Sequence, residues 1–138
     1  MADDGADYTS IQAAINAAVS GQDEVVVSPG TYLENINFNG KAITLRSASG
    51  DPADTIIDGG GSGSVVTCDS GETSATVLDG FTITNGSASY GGGMYNSNNS
   101  SPTVTNCTFS GNTAGSLGGG MYNRTSNPTV TNCTFSDN

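Results

Sequence analysis

A near-verbatim tandem repeat constrains this chain more than any other feature. Pro102-Thr-Val-Thr-Asn-Cys-Thr-Phe-Ser-Gly-Asn112 returns almost letter for letter as Pro128-Thr-Val-Thr-Asn-Cys-Thr-Phe-Ser-Asp-Asn138. Gly91-Gly-Gly-Met-Tyr-Asn96 returns at nearly the same offset as Gly118-Gly-Gly-Met-Tyr-Asn123. A fixed period of about 26 residues signals supersecondary units stacked in a row, each too small to bury its apolar face alone.

Within one copy, Thr103-Val104-Thr105 alternates polar and apolar, and so does Cys107-Thr108-Phe109-Ser110 with its phase shifted by one residue. Period-two alternation predicts half-buried strands. The slip predicts a one-residue corner at Asn106, since Asn tolerates the left-handed backbone. One period earlier, Val77-Leu-Asp-Gly-Phe-Thr-Ile-Thr84 aligns Gly80 with Asn106 and Asn132. Glycine is the other residue that adopts that conformation freely. Inward columns then read Leu78-Val104-Val130, Phe81-Cys107-Cys133, Ile83-Phe109-Phe135 and Met94-Met121, with Tyr90 and Leu117 matched before the glycines. Three short strands per period leave no room for a helix. The fold class predicted is all-β: a right-handed parallel β-helix with coils ~4.8 Å apart. An antiparallel sandwich of short strands would not require matched columns.

With these residues in view, the corner Asn and the coil pattern resemble the right-handed β-helices of the pectin-lyase-like superfamily. Phe109-Ser-Gly-Asn112 and Phe135-Ser-Asp-Asn138, with Gly118-Gly-Gly-Met121, resemble the FxxN and GGA-type repeats of chlamydial-type polymorphic outer membrane proteins. The short repeats cover residues 76–138. The resemblance implies a stacked-coil fold and, for the second family, a surface adhesin.

Asp7 to Val19 carries an apolar stripe at Ile11, Ala14, Ile15, Ala18 and Val19, spaced for one helix face. Thr9 with Gln12 fits a capping box, and Gly21 a stop. An amphipathic helix here, with Ile11, Ile15 and Val19 on its apolar face, would cap the open first coil. Residues 1–20 therefore read as a loose lead-in (1–6) plus a capping helix. Residues 21–138 read as the β-helix, about four and a half coils long, ending inside a repeat without a cap.

The 34% apolar content is low for a compact core, but a β-helix core is only one side chain wide. Net charge is −10, which argues against nucleic acid and anionic membranes as partners. Twelve of the thirteen acids lie in residues 1–80; beyond them the chain is Ser, Thr and Asn-rich and nearly neutral. No apolar run approaches the ~18 residues of a membrane span, and no signal peptide is visible. The composition points to an extracellular or cell-surface setting. Of the three cysteines, Cys68, Cys107 and Cys133, Cys107 and Cys133 share one column and read as a stacked thiol pair, an inter-coil disulfide being geometrically marginal.

Histidine is absent, which removes the usual neutral-pH base. Asp58 and Asp79 could form a glycosidase-type carboxylate pair, yet each precedes glycine, as turn acids do. The alternative function is accordingly a polysaccharide-active enzyme, a lyase or a glycosidase, or a fragment of one. No cofactor is called for, although the acidic half has ligand types suited to Ca²⁺. Thr103 and Thr105, stacked with Thr129 and Thr131, make a Thr-x-Thr ladder like that of ice-binding β-solenoids, a minor alternative. The leading expectation is a non-catalytic module for display, adhesion or self-assembly. Its interaction surface is the terminal coil, with Val130, Cys133 and Phe135. The partners expected are a second copy, neighbouring repeats of a longer chain, or glycans.

Overall fold

A computed structural model describes residues 7–138. The reading of residues 1–6 as loose lies outside them. Among the described residues a single short helix, α1 (Ile11–Ala17), precedes sixteen strands. The first coil is β1 (Glu24–Val27), β2 (Gly30–Leu33) and β3 (Ile36–Asn37); the second is β4 (Thr44–Ser47), β5 (Thr55–Asp58) and β6 (Val66–Cys68). The third is β7 (Val77–Asp79), β8 (Thr82–Thr84), β9 (Ser87–Tyr90) and β10 (Met94–Asn96). The fourth is β11 (Thr103–Thr105), β12 (Thr108–Ser110), β13 (Thr113–Leu117) and β14 (Met121–Asn123). Strands β15 (Thr129–Thr131) and β16 (Thr134–Ser136) open a fifth.

These strands stack into three long faces, ordered β1-β4-β7-β11-β15, β2-β5-β8-β12-β16 and β3-β6-β10-β14. Every named strand pair in them is parallel. The chain is a parallel β-helix. Three strands per coil is an undercount for the third and fourth coils, where β9 and β13 form a two-stranded fourth sheet that pairs Tyr90 with Leu117. The period is also uneven. Glu24 pairs with Thr44 and Thr44 with Val77, a short step followed by a long one. From Val77 to Thr103 to Thr129 the steps are equal.

Registers place one apolar column inside each face: Val25-Leu45-Leu78-Val104-Val130, Tyr32-Ile57-Ile83-Phe109-Phe135 and Ile36-Val66-Met94-Met121. All are buried except Tyr32 and the members on the last layer. Full burial of such side chains contributes roughly 1.5–3 kcal/mol each, so one column per face sustains the stack despite the low apolar content. The corner between the first two faces is the one the alignment predicts: φ is 87° at Gly80, 52° at Asn106 and 53° at Asn132. Phe81 and Cys107 follow it into the core.

The cap differs from its sequence reading in two respects. Ser10, not Thr9, is the N-cap, and its Oγ accepts from Ala13 N at 3.1 Å. The helix also stops at Ala17, because Ala18 turns extended (φ −67°, ψ 143°). Ile11 and Ile15 remain inward, but Val19 leaves the apolar face and is 50% exposed. Two charges from the first coil hold the helix instead. Glu34 accepts from Ile11 N at 2.7 Å and Gln12 N at 3.0 Å. Lys41 Nζ donates to Ile15 O, Asn16 O and Ala18 O at 2.8, 2.6 and 2.8 Å. An anion at the N-terminus and a cation at the C-terminus both match the helix dipole. Gln12 completes the seal by bonding both the N–H and the C=O of Asn37, taking the place of a further strand on β3.

Candidate interaction surface at the terminal coil

The two ends of the stack are built differently. At the N-terminal end α1 lies over the first coil. β1, β2 and β3 there each pair on one side only, with α1 in contact with β1 and β3; at the other end β13, β14, β15 and β16 likewise pair on one side only. Val130 and Phe135 are 40% and 45% exposed there, while their counterparts one coil below, Val104 and Phe109, are fully buried. Phe135 lies on Phe109 with ring centroids 4.6 Å apart and planes 4° apart. Its other face looks out of the stack. Outside the core, Tyr122 repeats the arrangement over Tyr95, at 5.9 Å and 16°, and also meets Tyr90 at 5.1 Å.

The three surface residues predicted from sequence, Val130, Cys133 and Phe135, therefore meet on one layer. Cys133 sits over Cys107, and all three cysteines are free thiols. Cys107 Sγ lies 3.3 Å from Thr105 O, and Cys133 Sγ 3.3 Å from Thr131 O. The hydrogen bond to Cys133, then burial, holds the Cys107 thiol well above its ordinary range. At the half-exposed end, the hydrogen bond from Cys107 lowers Cys133 to about 6. Burial first, then the charges of Glu72 and Asp69, push Cys68 strongly upward.

Sequence reasoning missed a polar ladder that runs through the same layers. Asn112 is fully buried. Its Oδ1 accepts from Gly86 N at 2.9 Å, and its Nδ2 donates to Ile83 O at 2.9 Å; both partners lie one coil below. Asn138, one period later, repeats the pattern: Oδ1 accepts from Asn112 N at 3.2 Å and Asn112 Nδ2 at 2.9 Å, while Nδ2 donates to Phe109 O at 2.9 Å. Each Asn thus reaches back to bind the coil before it. The last residue of each FxxN match was the available signal, but alternation patterns have no place for an inward polar residue. Asn96 and Asn123 make a second polar step, Nδ2 to Oδ1 at 2.9 Å.

Elsewhere, acids serve the backbone. Asp58 accepts from Gly60 N at 2.8 Å and Asn85 Nδ2 at 2.9 Å, and Asp79 accepts from Asn106 Nδ2 at 3.1 Å. The two lie on different faces of the helix, Asp58 at the end of β5 and Asp79 at the end of β7. Glu72 is fully buried and accepts from Gly40 N, Ser70 N and Ser100 Oγ at 2.8, 2.8 and 2.9 Å. Among the described residues, no three His, Cys, Asp or Glu side chains gather into a metal-sized group, and no helix is long and apolar enough to cross a membrane. The Thr-x-Thr ladder is in register over β11 and β15 and gives way below to Val77 and Asp79. Comparison with protein-family models, with curated proteins and with solved structures gives no match to this chain.

Proposed function

We propose that this chain is a non-catalytic β-helix module of a cell surface or extracellular space, acting in display, adhesion or assembly through its terminal coil. The observation that carries the reading is the asymmetry of the two ends. One is sealed by a helix clamped through Glu34 and Lys41. At the other, among the described residues, β13 to β16 pair on one side only and Phe135 is half-exposed. Strand edges left open over an apolar core are templates for pairing. The resemblance of the repeats to those of chlamydial-type polymorphic outer membrane proteins supports a surface setting.

The test is absolute mass by light scattering across a range of concentrations, for this chain and for Phe135→Glu. The expected result is mass that rises with concentration in the parent chain and stays monomeric in the variant, since a carboxylate on the apolar face would be buried unpaired. A parent chain that is monomeric at every concentration would overturn the assembly reading.

A further inference from the structure

We infer that Asn39 and Asn85 are latent self-modification sites, each kept from deamidating because a side chain from later in the chain captures the backbone amide that would attack it.

Asn-Gly occurs twice in the sequence, at Asn39-Gly40 and Asn85-Gly86. This dipeptide is chemically fragile, because glycine has no side chain to hinder attack by its own nitrogen. The glycine N–H gives its proton to water or hydroxide, and the nitrogen attacks Cγ of the asparagine. An N–Cγ bond forms, the Cγ–Nδ2 bond breaks, and ammonia leaves a cyclic imide. Water then opens the imide. Cleavage of N–Cγ gives aspartate; cleavage at the main-chain carbonyl gives isoaspartate, whose backbone runs through the former side chain. Water is the one co-reactant. Both asparagines are exposed, in left-handed turns with φ of 53° and 57°, so solvent reaches both.

The fold withholds the nucleophile instead. Gly40 N donates to Glu72 Oε2 at 2.8 Å. Glu72 is fully buried, and its Oε1 is held by Ser70 N and Ser100 Oγ at 2.8 and 2.9 Å, so the acceptor cannot follow a moving turn. A carboxylate at that place also opposes the reaction directly, since the attacking form of Gly40 N is an anion. Gly86 N donates to Asn112 Oδ1 at 2.9 Å, and buried Asn112 is fixed through Nδ2 to Ile83 O at 2.9 Å. Attack on Cγ needs the amide to leave its acceptor, which strands a buried polar group.

Conversion would loosen the stack. Asn85 Nδ2 donates to Asp58 Oδ2 at 2.9 Å, and Asn85 O accepts from Gly61 N at 2.7 Å. Aspartate at 85 would set two carboxylates against each other. Isoaspartate would add a main-chain atom to the tight turn between β8 and β9.

The test follows deamidation at each site by peptide mass spectrometry, with isoaspartate read by enzymatic methyl transfer. The parent chain, Glu72→Gln and Asn112→Leu are incubated at mildly alkaline pH, each folded by circular dichroism and each also in urea. In Glu72→Gln, keeping the bonds from Ser70 N and Ser100 Oγ turns the new NH2 toward Gly40 N, which loses its acceptor. The parent chain is expected to convert at both sites at least about 10-fold more slowly folded than in urea. Glu72→Gln should speed Asn39 by at least about 10-fold and leave Asn85 unchanged, as release from a charged acceptor implies. Asn112→Leu should speed Asn85 by at least about 5-fold and leave Asn39 unchanged, as release from a neutral one implies. A variant that speeds both sites equally has merely loosened the fold, and overturns the inference. So does a folded variant that speeds neither, or a parent chain that converts as fast folded as in urea. Should one variant not fold, the other and the parent chain decide.

Discussion

Replacing Asn112 by Leu tests whether the polar ladder holds the coils together. The two side chains have nearly the same shape, so the change removes hydrogen bonds without opening a cavity. It strands two groups, Gly86 N–H and Ile83 C=O, while Asn138 Oδ1 keeps its bond from Asn112 N. A buried group left unpaired costs about 1–3 kcal/mol. The sum is roughly 2–6 kcal/mol, a large part of the ~5–15 kcal/mol that holds a typical domain. Near the middle of that range it lowers Tm by roughly 10–20 °C for a chain of this length. The loss should also be local, because a solenoid is stabilised coil by coil. Hydrogen exchange resolved by residue should accelerate across 103–138 while the amides of β1 to β6 keep their protection. Ser110→Ala, outward on the same coil, is the control and should change stability by less than about 0.5 kcal/mol. If Asn112→Leu unfolds within about 1 kcal/mol of the parent chain in urea, the ladder is not what couples these coils.

Lys41→Met removes three charge-assisted bonds to the end of α1 and should cost about 2 kcal/mol, seen as faster exchange at Ala14 and Ala18 with no change beyond Val77. Gly86→Ala should prevent the third and fourth coils from closing, because the added methyl would run into the carbonyl oxygen of Gly92; circular dichroism and exchange would report the loss. In the folded chain Cys133 should alkylate with a midpoint near pH 6, because the hydrogen bond from Cys107 lowers it to about 6. Its rate should rise as pH climbs through that value and level off above, while buried Cys68 stays unreactive until the chain unfolds.

The sequence made the last three coils legible because there the period is constant. Once Gly80, Asn106 and Asn132 align, the columns through Leu78, Phe81 and Ile83 follow, and with them the placement of Phe135 on the final layer. The first two coils lack that regularity: the step from Glu24 to Thr44 is short and the step from Thr44 to Val77 is long. The capping helix was visible through Ile11 and Ile15, but not its limits. Periodicity counted Val19 onto the stripe, whereas the chain had already turned extended at Ala18. Glu34 and Lys41 could not be assigned from spacing, since each acts on a helix well before it in the chain, whose position only the fold defines. The Asn ladder was hidden for a related reason. A buried amide is favourable only where backbone groups of the neighbouring coil meet it, and that juxtaposition is tertiary.

The uneven coil lengths have a consequence for how such a chain can change. A corner made of one left-handed residue, as at Asn106, has no slack: one residue more or less would turn the next strand inside out. The 48–54 loop of the second coil, between β4 and β5, carries extra residues without disturbing the pairing of Thr44 with Val77 or Thr55 with Gly30. Growth is thus permitted in two modes. Whole coils of the regular repeat can be duplicated, since a copy carrying Asn at the position of Asn112 brings its own amide to lock onto its predecessor, or loops can lengthen at the wide corner, where new surface can diversify while the stack beneath keeps its register.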